Sequence, residues 1–112
     1  MTILWGKPTR LQLRRTAGFN LQVHSLETNG LGAVNCARPG HLGNPFVLDD
    51  PREACARFEE ALVKNGSYIN LHGRRIDAGF VRSMMRGLNG ACFCPIDAPC
   101  CHVDTLIKVA NS

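Results

Sequence analysis

The period of apolar and polar positions changes several times along the chain, and each change marks an element. RLQLRR (10–15) alternates apolar and basic residues and FNLQVHS (19–25) alternates less cleanly, with Gly18 between them, a pattern for a short hairpin or two edge strands. LGAVNC (31–36) is small, apolar and partly β-branched, and it runs into the turn formers ARPGHLGNP, which predicts a buried strand entering a loop. A helix over 51–64 has the clearest boundaries: Asp50 can cap it, Pro51 suits its first position, Glu53 completes a capping box, and Asn65 with Gly66 stops it. Ala54, Cys55, Phe58, Ala61 and Leu62 give this helix one apolar stripe, so Cys55 is expected in the core.

SYINL (67–71) reads as a short strand. From Asp77 a second helix, 77–88, presents Val81, Met84, Met85 and Leu88 at helical spacing and ends at Asn89 and Gly90. ACFC (91–94) has strand length, with Cys92 and Cys94 on one face and Phe93 on the other, and Pro95 ends it. Val103, Leu106, Ile107 and Ala110 define a last amphipathic helix, 102–110, whose first turn holds His102 and Asp104 directly after Cys101.

This order predicts a small single-domain α/β layered fold, with a central mixed or parallel sheet and three helices, one domain over 1–112 in which 1–9 form an N-terminal extension. The length of 112 residues and a hydrophobic content of 45% suit one packed core. In open α/β sheets ligands bind beyond the carboxyl ends of strands. Both chemically rich segments, ARPGHLGNPF and PIDAPCCHVD, follow strands, so parallel neighbouring strands would bring the two loops together at one pocket.

Charge adds a partner class. The chain carries 13 Lys plus Arg against 9 Asp plus Glu, a net +4, and Lys7, Arg10, Arg14 and Arg15 precede any acidic residue. Arg74, Arg75, Arg82 and Arg86 form a second basic group. Such patches attract phosphate-bearing partners, nucleic acid included, but on a small domain they are more often solvated faces. The opening MTILWGKPTRLQLRR has no apolar run of signal-peptide length, and no stretch approaches the ~20 apolar residues of a membrane span. A reducing cytoplasmic setting without membrane contact follows, in which the six cysteines are free or metal-bound and Asn65-Gly66-Ser67 has no glycosylation meaning.

The combination VNCARPGHLGNPF, REACARFEEAL and LNGACFCPIDAPCCHVDTLIKVAN resembles the domain of unknown function 4326 family of bacteria and tailed phages, and RLQLRRTAGF resembles its phage-type members. The resemblance covers roughly residues 10–111, with departures at Leu42 and Phe93, where the family usually has Trp, and with the additional Cys100 before the Cys-His pair. It implies the fold and the location of a site more than a reaction.

Six residues are singled out for that site. Arg38 follows its strand directly and can hold a phosphate or carboxylate in a bidentate fork, or serve as a brace to the last carboxylates. Asn44, before Pro45, is a turn former that also borders the expected ligand-binding crevice. Cys94 is assigned to ligand binding with them, and Cys101, His102 and Asp104 to catalysis. Cys36 is placed in the core. Cys92, Cys94, Cys101 and His102 fit three accounts: a zinc site by ligand count though not by the usual spacing, a reactive thiol beside a helix N-terminus, or packing at a tight junction. No metal is assigned, and zinc is the candidate ion. The functional readings are accordingly a site for a small anionic, nucleotide-like ligand with Cys/His chemistry, a zinc-stabilised interaction or nucleic-acid-binding module, and a non-catalytic phage protein that binds a host or defence protein.

Overall fold

The computed structural model describes residues 7–112. Its elements are β1 (Arg10–Gln12), α1 (Leu21–Asn29), β2 (Ala33–Asn35), α2 (Pro51–Glu59) continuing as a π-helical turn (Glu60–Lys64), β3 (Ser67–Ile69), β4 (Arg75–Asp77), α3 (Ala78–Met85), β5 (Asn89–Cys92) and α4 (His102–Ala110). The fold is α/β: a parallel sheet in the order β1-β5-β2, a separate antiparallel pair β3-β4, and four helices.

β5 is the middle strand, and all four of its residues are buried, as a parallel strand covered on both faces requires. It is built of small residues because helices come close. A Cβ on Gly90 would stand 2.6 Å from Val103 Cγ1 and 2.9 Å from Met85 Cε, so only glycine lets α4 and α3 pack directly on the strand. Around it Phe58, Leu62, Ile76, Val81, Met85, Val103 and Leu106 form the core, contributed by α2 and its π turn, β4, α3 and α4. Among the described residues no helix is long and apolar enough to cross a membrane.

The opposite end of β5 is pinned by a polar knot. Buried Asn89 donates to Ser25 Oγ at 2.7 Å and exchanges hydrogen bonds with Asn29, while its Oδ1 accepts from the Thr9 amide at 2.9 Å. A buried amide so fully partnered stabilises one arrangement of α1 against the sheet, since misplacement would leave polar atoms unpaired. The expected N-terminal extension lies, for residues 1–6, outside the described residues; Lys7 and Thr9 are tied to Asn29 and Asn89.

Three expectations are corrected. FNLQVHS is not a strand beside RLQLRR: it enters α1, capped by the Asn20 side chain on the Val23 amide and closed by Gly30 at φ 80°. Its pattern misleads because α1 buries only Ser25 and leaves Val23 and Leu26 half exposed, so it has no apolar stripe. β1 pairs instead with β5, Arg10 opposite Gly90. The strand expected over 91–94 begins at Asn89 and ends at Cys92, so Cys94 lies in the following loop rather than beside Cys92 on a strand face. Asp77, placed at the start of the helix over 77–88, instead ends β4 and caps α3, and β4 turns back on β3 through Gly73 at φ 78°.

Candidate functional site

Parallel pairing of β2 and β5 sends both chains out of the sheet at the same edge, and the loops that follow enclose a cavity of about 350 Å³. The first loop lines it with Ala37, Arg38 and Asn44, and the start of α2 with Pro51, Ala54 and Cys55. The second loop supplies Phe93, Cys94 and Cys100, the end of β5 supplies Cys92, and the start of α4 supplies Cys101 and His102. Arg15, beyond β1, completes the rim, its guanidinium 4.1 Å above the Phe93 ring in a cation–π contact. Two arginines and the amino ends of two helices thus border one volume, and its lining among the described residues holds no carboxylate.

Arg38 donates through Nε to the Asn44 carbonyl at 2.6 Å and through Nη2 to the Phe46 carbonyl at 3.0 Å. Those bonds fold the loop around its side chain; no bond of Nη1 is found among the described residues. Asn44 is buried and committed to backbone, donating to the Ala54 carbonyl at 3.1 Å and accepting the Phe46 amide at 2.8 Å, which ties the loop to α2. It shapes the cavity wall.

His102 is nearly buried, and its Nε2 lies 2.8 Å from the Cys36 carbonyl and 3.1 Å from the Leu42 carbonyl. Two acceptors around one ring nitrogen require a proton there, so in the neutral ring Nδ1 carries the lone pair, 3.9 Å from Cys101 Sγ. These carbonyls, not Asp104, orient the imidazole. Asp104 does not line the cavity: it is 56% exposed and pairs with Arg10 Nε at 3.4 Å. The reason is helical geometry, because residues two apart on a helix point roughly 200° from each other.

Arg10, a residue that reads in sequence as one of several solvated cations, is 10% exposed and holds the second loop. Its Nη1 donates to the Pro95 carbonyl at 3.0 Å, and its Nη2 to those of Ile96 and Ala98 at 3.1 and 3.3 Å. With Asp104 on the third face of the fork, one guanidinium sets the course of the chain between Cys94 and α4.

The floor is sulfur. Cys92 Sγ and Cys101 Sγ are 3.0 Å apart, and the sulfurs of Cys92, Cys94 and Cys101 all lie within 4.8 Å of one another, a group able to hold a metal ion. His102 is not part of that group. Either sulfur of this close pair can donate to the other. The hydrogen bond with Cys101 lowers the Cys92 pKa against the effect of burial, while the same bond and burial push Cys101 up to about 12 in spite of His102 and the Val103 amide. Burial, then Cys101, raises Cys94. When one of the pair ionises, these shifts favour Cys92 at the strand end over Cys101 at the helix terminus.

The other cysteines differ. Cys36 is fully buried, its Sγ 3.5 Å from the Val34 carbonyl and 3.8 Å from Met85 Sδ, a core thiol as expected. Cys55 is not a core thiol: it is half-buried at the cavity mouth, where burial and the neighbouring Cys100 push its pKa up to about 12. The apolar stripe of α2 closes around Ala54 and Phe58 and leaves Cys55 at its margin. Arg15, Cys55 and Cys100 border the cavity without having been assigned to it from sequence, and Cys92, named there only within the Cys/His cluster, borders it too.

No curated protein and no solved structure matches the chain. Residues 19–112, which include every cavity residue named except Arg15, match the family described as Domain of unknown function (DUF4326). The match spans most of the sequence, and the chain belongs to the DUF4326 family.

Proposed function

We propose that the cavity binds a small anionic, nucleotide-like ligand, and that the thiols and His102 at its floor supply nucleophilic or proton-transfer chemistry. One observation carries the reading: a volume of about 350 Å³, at the low end for ligand pockets, is bordered by two guanidinium groups and two helix amino ends with no carboxylate among the described lining residues. An anion gains from each of these groups, and a cation from none. Leu48, Pro51, Ala54 and Phe93 offer an apolar wall for the uncharged part of such a ligand. In a nucleophilic step the Cys92–Cys101 pair provides the thiolate and His102 the neighbouring proton acceptor. Asp104 takes part only through Arg10. A reducing cytoplasm is the setting that keeps such thiols free.

A zinc-stabilised module is favoured by the three-sulfur cluster alone, and a closed structural zinc site wants a fourth protein ligand. His102 is turned to carbonyls instead.

Binding to metal-free protein decides the matter. Arg15 is the residue to change, because its described contact is the Phe93 ring, whereas Arg38 also holds its loop together. A nucleoside monophosphate should bind more tightly than its uncharged nucleoside, and Arg15→Ala should weaken it by about 1.5–3 kcal/mol, the value of a hydrogen bond to a charged group, leaving the nucleoside unchanged. Equal affinity for the two compounds, or an indifferent Arg15→Ala, would refute the reading.

A further inference from the structure

We propose that Cys92, Cys94 and Cys101 hold one thiophilic divalent ion such as Zn²⁺ through three thiolates, and that the fourth coordination position opens into the cavity.

Geometry makes the first argument. Zinc–sulfur bonds of ~2.3 Å in a tetrahedral shell place sulfurs roughly 3.8 Å apart. The three sulfurs span separations from 3.0 Å to at most 4.8 Å, so a change of about 1 Å or less in each separation reaches that spacing. The donors also come from fixed elements: Cys92 ends the central strand, Cys101 sits immediately before α4, and Cys94 is the first residue but one of a loop whose carbonyls Arg10 grips. A preformed donor set of three thiols is the arrangement that selects a soft or borderline ion over magnesium or calcium.

Charge makes the second. Three thiolates and a divalent ion sum to −1, and the Arg10 guanidinium, which grips the loop after Cys94 and is shared with Asp104 at 3.4 Å, offsets part of it. Each thiol that ligates releases its proton to solvent, and no electron is transferred.

The third argument sets the coordination number. Among the described residues the donor group is three sulfurs, with His102 outside it, and all three border the cavity. A site of three protein ligands with an accessible fourth position is of the catalytic type, in which water or a substrate atom completes the shell. Here that place is taken by water or by the anion, so the identity of the fourth ligand rests on the anion-binding reading while the ion itself does not.

The experiment separates the two. Reduced, metal-free protein is titrated anaerobically with Zn²⁺ against a chromophoric chelator, and with Co²⁺ as a spectroscopic probe; X-ray absorption of the zinc form counts sulfur and light donors. One ion per chain, with three sulfurs and one oxygen or nitrogen donor, is expected. Cys94→Ser, at a partly exposed position outside the strand, should weaken the ion by at least the ~10–100-fold that loss of even an outer partner costs, while Cys100→Ser should not. Inorganic phosphate should alter the Co²⁺ ligand-field spectrum. Absence of chelator-resistant binding, or an unchanged Cys94→Ser, overturns the ion site. A four-sulfur or histidine-containing shell overturns the open position. Binding of a nucleoside monophosphate to the metal-free protein reports on the anion reading by itself, whichever way the titration falls.

Discussion

Three buried or half-buried thiols, Cys36, Cys55 and Cys101, have pKa values pushed up to about 12 from an ordinary 9.0, and Cys36 owes this first to burial. A thiol whose pKa folding raises keeps its proton when the unfolded chain has already lost it. Its contribution is therefore complete below about pH 9 and disappears as pH climbs from 9 to 12, at ~1.4 kcal/mol per pH unit for each fully buried group. Cys92 acts with the opposite sign, its share present above its unfolded value and lost as pH falls through its lowered one. Denaturant unfolding at pH 9, 10 and 11 should thus show a steep loss of stability in the wild type and a shallower one in Cys36→Ala. Equal slopes in the two proteins would mean that Cys36 ionises in the fold as freely as outside it.

Among the elements, β5 and α4 meet at a single missing methyl group. Gly90→Ala puts its Cβ against Val103 Cγ1, which a stiff β-branched side chain cannot withdraw, and against Met85 Cε, which can move. A loss of about 1–3 kcal/mol is expected, with partial recovery when Val103→Ala is added; additive losses in thermal or urea unfolding would place the strain elsewhere. The same elements show what can be read locally. α2 is legible because its cap, its proline and its stop are neighbours in sequence, and α4 because its stripe is complete. α1 is not, because its fixed points are Asn20 and Gly30 and its one buried residue is a serine. The cysteine-rich loop announces a site by composition alone, and its meeting with ARPGHLGNPF follows from the parallel neighbours β2 and β5. Arg10 and Arg15 stay hidden among solvated cations until β1 is laid against β5, 80 residues away, and the pairing of Cys92 with Cys101 is seen only once their sulfurs are 3.0 Å apart. Contacts between distant segments are the part that local pattern does not encode.

For the whole molecule the order β1-β5-β2 has a consequence in time. The strand in the middle is the last to be made. During synthesis β1 and β2 emerge without a partner, and Arg10 waits for Gly90 while 80 more residues are added, roughly 4–16 s at ~5–20 residues per second. Neither outer strand can pair with the other, since β5 belongs between them, and Arg10 has no loop to grip. Native structure therefore arrives late and at once: nascent chains stalled before residue 89 should be digested by protease throughout, and those with α4 clear of the ribosome should resist. Protection of the first half in the shorter chains would show that α1 and α2 hold together without the sheet. The cavity, its thiols and its arginines come into being in the same event, so no partially made chain exposes the assembled cavity.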